Sequence, residues 1–107
     1  MRAPAEDAAV ADLDLVMTSP DQGARYRLST EIPRSSQQLM VRVRPAGGVA
    51  LRRVTLLADG RPLATLGGEP YQAVWLMAPG RHEFAALGVD GGGRELRSNS
   101  VGIEVAE

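Results

Sequence analysis

Few side chains in this chain could carry out a reaction. His82 is the only histidine and stands at the mouth of a strand, directly after Pro79-Gly80-Arg81. As a general base it would need a hydroxyl beside it and a third group to orient the ring. No Gly-x-Ser-x-Gly elbow supplies that hydroxyl. The expectation is instead a partly buried ring bonded to turn backbone, as at the tyrosine corner of many sandwiches. Asp21, Asp59 and Asp90 each sit with glycine in a turn, where aspartate caps its own backbone. Two carboxylates flanking one cleft are not indicated, nor is the Asp-x-Asp-x-Asp spacing of a calcium loop. Gly47-Gly48, Gly67-Gly68 and Gly91-Gly92-Gly93 lack the Lys-Ser/Thr of a phosphate loop and read as hairpin loops. No catalytic residue, metal site or cofactor is expected.

One pair could bind without reacting. Tyr71 and Trp75 share strand parity, so both rings point to the same face. Exposed, they would form a platform for stacking sugars. Buried, Trp75 would fill the core between two sheets, gaining roughly 2–3 kcal/mol from burial. The residues favour burial for Trp75, and both remain the candidate contact residues. Arg42 and Arg44 share the outer face of one strand, the ordinary place for solubilising charge.

The elements that must hold these residues are short strands between turn signals. Arg81 to Asp90 follows a Pro-Gly turn and ends at Gly91-Gly92-Gly93, with His82, Phe84, Ala86 and Gly88 on one side. Small residues at Ala86 and Gly88 predict close approach of a second sheet. Gln38 to Arg44 alternates most cleanly, with Leu39, Val41 and Val43 inward. Leu13 to Thr18, Arg25 to Leu28, Arg53 to Ala58, Arg61 to Leu66, Tyr71 to Met77 and Ser98 to Val105 complete the series. Asp59-Gly60 predicts a hairpin turn, and Pro62 suits an edge strand. Ser29 to Ser36 is polar and contains Pro33, predicting a loop or a single helical turn. Seven or eight strands about ten residues apart predict an all-β immunoglobulin-like antiparallel sandwich over residues 13–107. Residues 1–12, rich in Ala, Asp and Pro, read as a flexible linker.

Composition narrows the function classes. A length of 107 residues suits one domain, burying about 65% of the unfolded chain's surface. The four aromatics (Tyr26, Tyr71, Trp75, Phe84) leave most of the core to aliphatic residues. The net charge of −1 and the scattered arginines argue against nucleic acid. Without cysteine there is no disulfide or thiolate chemistry. No apolar run reaches the roughly 18 residues of a membrane span, so this chain is not expected to insert. The acidic start lacks a signal-peptide core, which is consistent with a piece of a longer, exported protein.

The ordered blocks Ser19-Pro20-Asp21-Gln22-Gly23 with Tyr26 and Leu28, Glu31-Ile32-Pro33 with Gln37 and Leu39, Leu57-Ala58-Asp59-Gly60-Arg61-Pro62-Leu63, and Trp75 with Pro79-Gly80-Arg81-His82 form a series. It resembles the Ig-like C-terminal domain of bacterial penicillin-binding protein 1C, a bifunctional peptidoglycan synthase. The resemblance implies a noncatalytic accessory module located outside the cytoplasm. Its partners would be protein or peptidoglycan in the cell envelope, and the glycosyltransferase and transpeptidase domains would lie upstream. The alternative is a generic bacterial Ig-like spacer or carbohydrate-binding module of another secreted or surface protein.

Overall fold

Alternation of apolar and polar side chains sets which segments extend, and cross-strand register sets which of them meet. A computed structural model describes residues 15–46 and 51–107. The linker expected over 1–12, the strand residues Leu13 and Asp14, and Gly47-Gly48 lie outside the described residues. Nine strands are formed among those described: β1 (Leu15–Ser19), β2 (Arg25–Arg27), β3 (Gln38–Pro45), β4 (Leu51–Ala58), β5 (Arg61–Leu66), β6 (Gln72–Leu76), β7 (Gly80–Asp90), β8 (Glu95–Arg97) and β9 (Val101–Ala106). One sheet has the order β1-β3-β6. The other has the order β2-β9-β7-β4-β5, with β8 also paired to β7. The strand ladders are all antiparallel except β2 with β9, and Leu15 makes one isolated parallel bridge to Ser98. This is the expected immunoglobulin-like sandwich.

The inward residues of the two sheets interdigitate. Leu15, Met17, Val41 and Val43 come from the three-stranded sheet. Val54, Leu56, Phe84, Ala86, Val101, Ile103 and Val105 come from the larger one. Phe84 is fully buried, as are Leu15, Val54 and Leu56. The close approach expected at Gly88 is present: a Cβ there would lie 3.1 Å from Leu15 Cδ1 and 3.5 Å from the Arg53 carbonyl oxygen. The space at Gly88 is thus tightened by β1 lying across β7, and any side chain there would press on Leu15.

Turns follow their residues. Asp59 (φ 53°) and Gly60 (φ 80°) both take positive φ, as a two-residue type I′ hairpin turn requires, and Ala58 pairs with Arg61. The polar stretch before β3 contains one 3₁₀ turn, Arg34–Ser36. Its anchor is Gln37, a buried polar residue with 6% exposure. The Gln37 amide nitrogen donates to the carbonyls of Ser29 and Ile32, both at 3.0 Å, and its oxygen accepts from the Ser29 N–H at 2.6 Å. One side chain therefore satisfies three backbone groups that no strand could serve.

The sequence reading missed β8, because Glu95-Leu96-Arg97 offers a single inward residue, Leu96. It also carried the sixth strand too far at each end: Tyr71 and Met77 flank β6 and lie outside it.

Candidate functional site

His82 begins the inward row of β7, and β4 lies alongside so that Ala58 faces Phe84. That register carries the Asp59 turn to the start of β7. Asp59 Oδ2 is 2.7 Å from His82 Nδ1, and Asp59 Oδ1 accepts the Glu83 N–H at 2.9 Å. The opposite ring nitrogen, Nε2, faces the carbonyl oxygens of Ala78 at 2.9 Å and Pro79 at 3.3 Å. The turn-backbone bond expected of His82 is present. The expectation that Asp59 caps its own turn is corrected: its carboxylate instead reaches across to His82 and the Glu83 N–H of β7. Asp90 does cap locally, accepting from the N–H groups of Gly92 and Arg94.

Both imidazole nitrogens therefore look at acceptors, an arrangement that suits the doubly protonated ring. Burial alone would lower the pKa of His82. The hydrogen bonds to Asp59, Ala78 and Pro79 and the Asp59 charge outweigh burial and hold the pKa above its ordinary 6.5. Burial likewise would raise the pKa of Asp59. Bonds from His82 and the Glu83 N–H, with the charges of His82 and Arg61, hold it below 3.8. An imidazole that donates from Nε2 to backbone carbonyls is not placed to take a proton from a hydroxyl. The pair is a latch between the β4–β5 turn and β7, not two-thirds of a triad. Among the described residues, no three His, Asp or Glu side chains are grouped to hold a metal ion.

Tyr71 and Trp75 do share a face, and it is the inner one. Tyr71 keeps 7% of its exposure and belongs to the core. Trp75 is half-buried, set edge-on to His82 (4.6 Å, 62°) and to Phe84 (5.1 Å, 79°). A stacking platform needs two open ring faces, and a buried Tyr71 does not provide one. Trp75 closes the end of the core and packs against the latch.

The surface offers two other features. An open groove of about 420 Å³ runs alongside the latch, lined by Asp59 and His82 together with Arg25, Arg81, Glu83 and Glu104. Its walls carry both signs of charge and so focus no single field.

The other feature is β6, one of the two edge strands of the smaller sheet. Its outward residues Val74 and Leu76 are 45% and 56% exposed. Beside them on β3, Met40 faces Val74 and Arg42 faces Gln72. Arg42 Nε donates to Gln72 Oε1 at 2.8 Å. Sequence reasoning overlooked Val74 and Leu76 by attending to the aromatic positions. The signal was available: Ala73-Val74-Trp75-Leu76-Met77 is apolar at both parities, more than one buried face requires.

The family model described as Penicillin-Binding Protein C-terminus Family matches residues 4–103. No curated protein matches the chain. Among solved structures, fibronectin(III)-like modules of Clostridium thermocellum CbhA are similar at TM-score 0.72 and 17% identity. That alignment covers 86% of this chain and 94% of theirs. CopC from Methylosinus trichosporium OB3b aligns at TM-score 0.46 and 14% identity, over 86% of this chain and 93% of its own. The CbhA likeness is one of fold and agrees with the two-sheet topology.

Proposed function

This chain belongs to the penicillin-binding protein C-terminus family, and from that footing we propose that it serves a penicillin-binding protein outside the cytoplasmic membrane by making contacts with protein or peptidoglycan. The chain itself is a noncatalytic module with an immunoglobulin-like fold. The observation that carries the reading is the span of the match, residues 4–103, which takes in nearly the whole sandwich. What such a module contributes must come from its outer faces, edges and loops. Its one histidine is spent on the latch, and no described helix is long and apolar enough to cross a membrane. The parent enzyme would supply glycosyltransferase and transpeptidase chemistry, and this module would position it.

The test is co-sedimentation of the purified chain with purified peptidoglycan sacculi. Chemical cross-linking to the glycosyltransferase and transpeptidase domains of a penicillin-binding protein runs beside it. Saturable binding to at least one target, persisting at about 0.15 M salt where exposed charge pairs are screened, is the expected result. Absence of binding to both, up to about 1 mM chain, would overturn the reading.

A further inference from the structure

Sheet edges expose unpaired N–H and C=O groups, and proteins guard them with charge, proline, bulges or brevity. Among the described strands paired on one side only, β1, β2, β5 and β8 are guarded, β8 by its three-residue length and its charged Glu95 and Arg97. β5 carries Arg61 and Pro62. β2 has only three residues, two of them arginine. β1 contains a bulge between Met17 and Ser19, and its Met17 N–H is taken by Asn99 Oδ1 at 3.0 Å. β6 has none of these devices: Gln72-Ala73-Val74-Trp75-Leu76 holds no charge, proline or register shift.

The ladder shows which of its groups are open. The Val43 N–H bonds the Tyr71 carbonyl, and the Met77 N–H bonds the Gln37 carbonyl. Alternation along an antiparallel pair then turns Ala73 and Trp75 toward β3, and Val74 and Leu76 toward the free edge. The Gln72 N–H, also on that side, is already bonded to the Pro70 carbonyl.

We infer that β6 pairs antiparallel with β6 of a second copy of this chain, joining the two three-stranded sheets edge to edge about a two-fold axis at Val74. Each Val74 N–H then meets the other copy's Val74 carbonyl, and each Leu76 N–H meets the other's Gln72 carbonyl; the return bond from Gln72 to the Leu76 carbonyl is not made, because the Gln72 N–H is held by Pro70. Val74 sits across from its counterpart with Met40 behind each, so the apolar row continues over the junction. An uncharged strand suffers no like-charge opposition on self-pairing, whereas β2 would bring arginines together. The two-fold contact is self-complementary and closes on itself. With only one short strand from each copy it falls at the weak end of interface sizes.

This inference stands apart from the proposed cell-envelope role, since sacculus binding can fail while self-association persists, and the reverse. Sedimentation velocity of the purified chain between about 10 µM and about 1 mM should show a monomer passing to a dimer. Over that range the Val74 and Leu76 amides should gain hydrogen-exchange protection, with no gain at Ala73 and Trp75. Val74→Lys, at an exposed position, should remain folded by circular dichroism and stay monomeric. A monomer throughout the range would overturn the inference. So would protection gained at Ile32 or Leu87 in place of β6, or a Val74→Lys chain that still dimerises. Pairing of β6 with another protein's strand while this chain stays monomeric would also overturn it.

Discussion

Replacing Asp59 with Asn tests whether the His82 latch is structural and charged. The substitution keeps the side chain's size and an oxygen for the Glu83 N–H, but removes the carboxylate 2.7 Å from His82 Nδ1. A hydrogen bond to a charged group contributes about 1.5–3 kcal/mol. The Asp59 side chain is 48% exposed and His82 13%, so solvent screening takes the expected loss to about 1–1.5 kcal/mol. In a domain of this size that lowers Tm by about 4–12 °C. The sign with pH comes from the two titrations. The pKa of His82 is raised in the fold, so its contribution is complete below 6.5 and is lost as pH rises through the folded value. The pKa of Asp59 is lowered, so its contribution is present above 3.8 and is lost as pH falls through the folded value. The gap in Tm between the parent chain and Asp59→Asn should therefore be widest between pH 3.8 and 6.5 and narrow on the alkaline side. Thermal melts by circular dichroism across this range measure it. Trp75, the single tryptophan, lies against the single histidine, so its fluorescence reports the His82 titration independently. A gap that does not change with pH, or a His82 midpoint at or below 6.5, would refute the reasoning.

Other substitutions separate the remaining contributions. Gln37→Ala leaves the Ser29 and Ile32 backbone groups without their partner and should cost about 1–3 kcal/mol, read by urea denaturation. Gly88→Val drives a branched side chain toward Leu15 and the Arg53 carbonyl; a loss of about 1–3 kcal/mol is expected, with amide shifts in both β1 and β4. Phe84→Ala empties a fully buried site beneath Trp75 and should cost about 3–5 kcal/mol, along with a change in tryptophan emission. Glu107→Ala breaks the pair with Arg34, whose side chains are 62% and 72% exposed; stability should move by less than about 0.5 kcal/mol, checked by the same melts.

The sandwich was legible wherever a local pattern carries the information. β3 alternates cleanly, the Asp59-Gly60 and Pro79-Gly80 pairs mark turns, and the small residues Ala86 and Gly88 announced a crossing layer. What stayed hidden depends on long-range register. Nothing local to Asp59 says that β4 and β7 align so that its carboxylate reaches His82 and the Glu83 N–H. Gln37 was visible as a residue at the head of a strand, but its grip on Ser29 and Ile32 requires a loop path that composition does not encode. The exposed apolar positions of β6 were passed over for a different reason. Aromatic rings drew attention to Tyr71 and Trp75, which face inward, while Val74 and Leu76 face outward between and beyond them.

The parallel run of β2 against β9 has a mechanical consequence. Gly23, Glu104 and Leu28 each donate a backbone N–H across this seam, at 2.8, 3.0 and 2.7 Å. Tension entering through β2 and leaving through β9 slides the two strands past each other and strains these links in concert. An antiparallel seam loaded from one end would peel link by link. Sliding β2 past β9 therefore loads the three links together rather than one at a time.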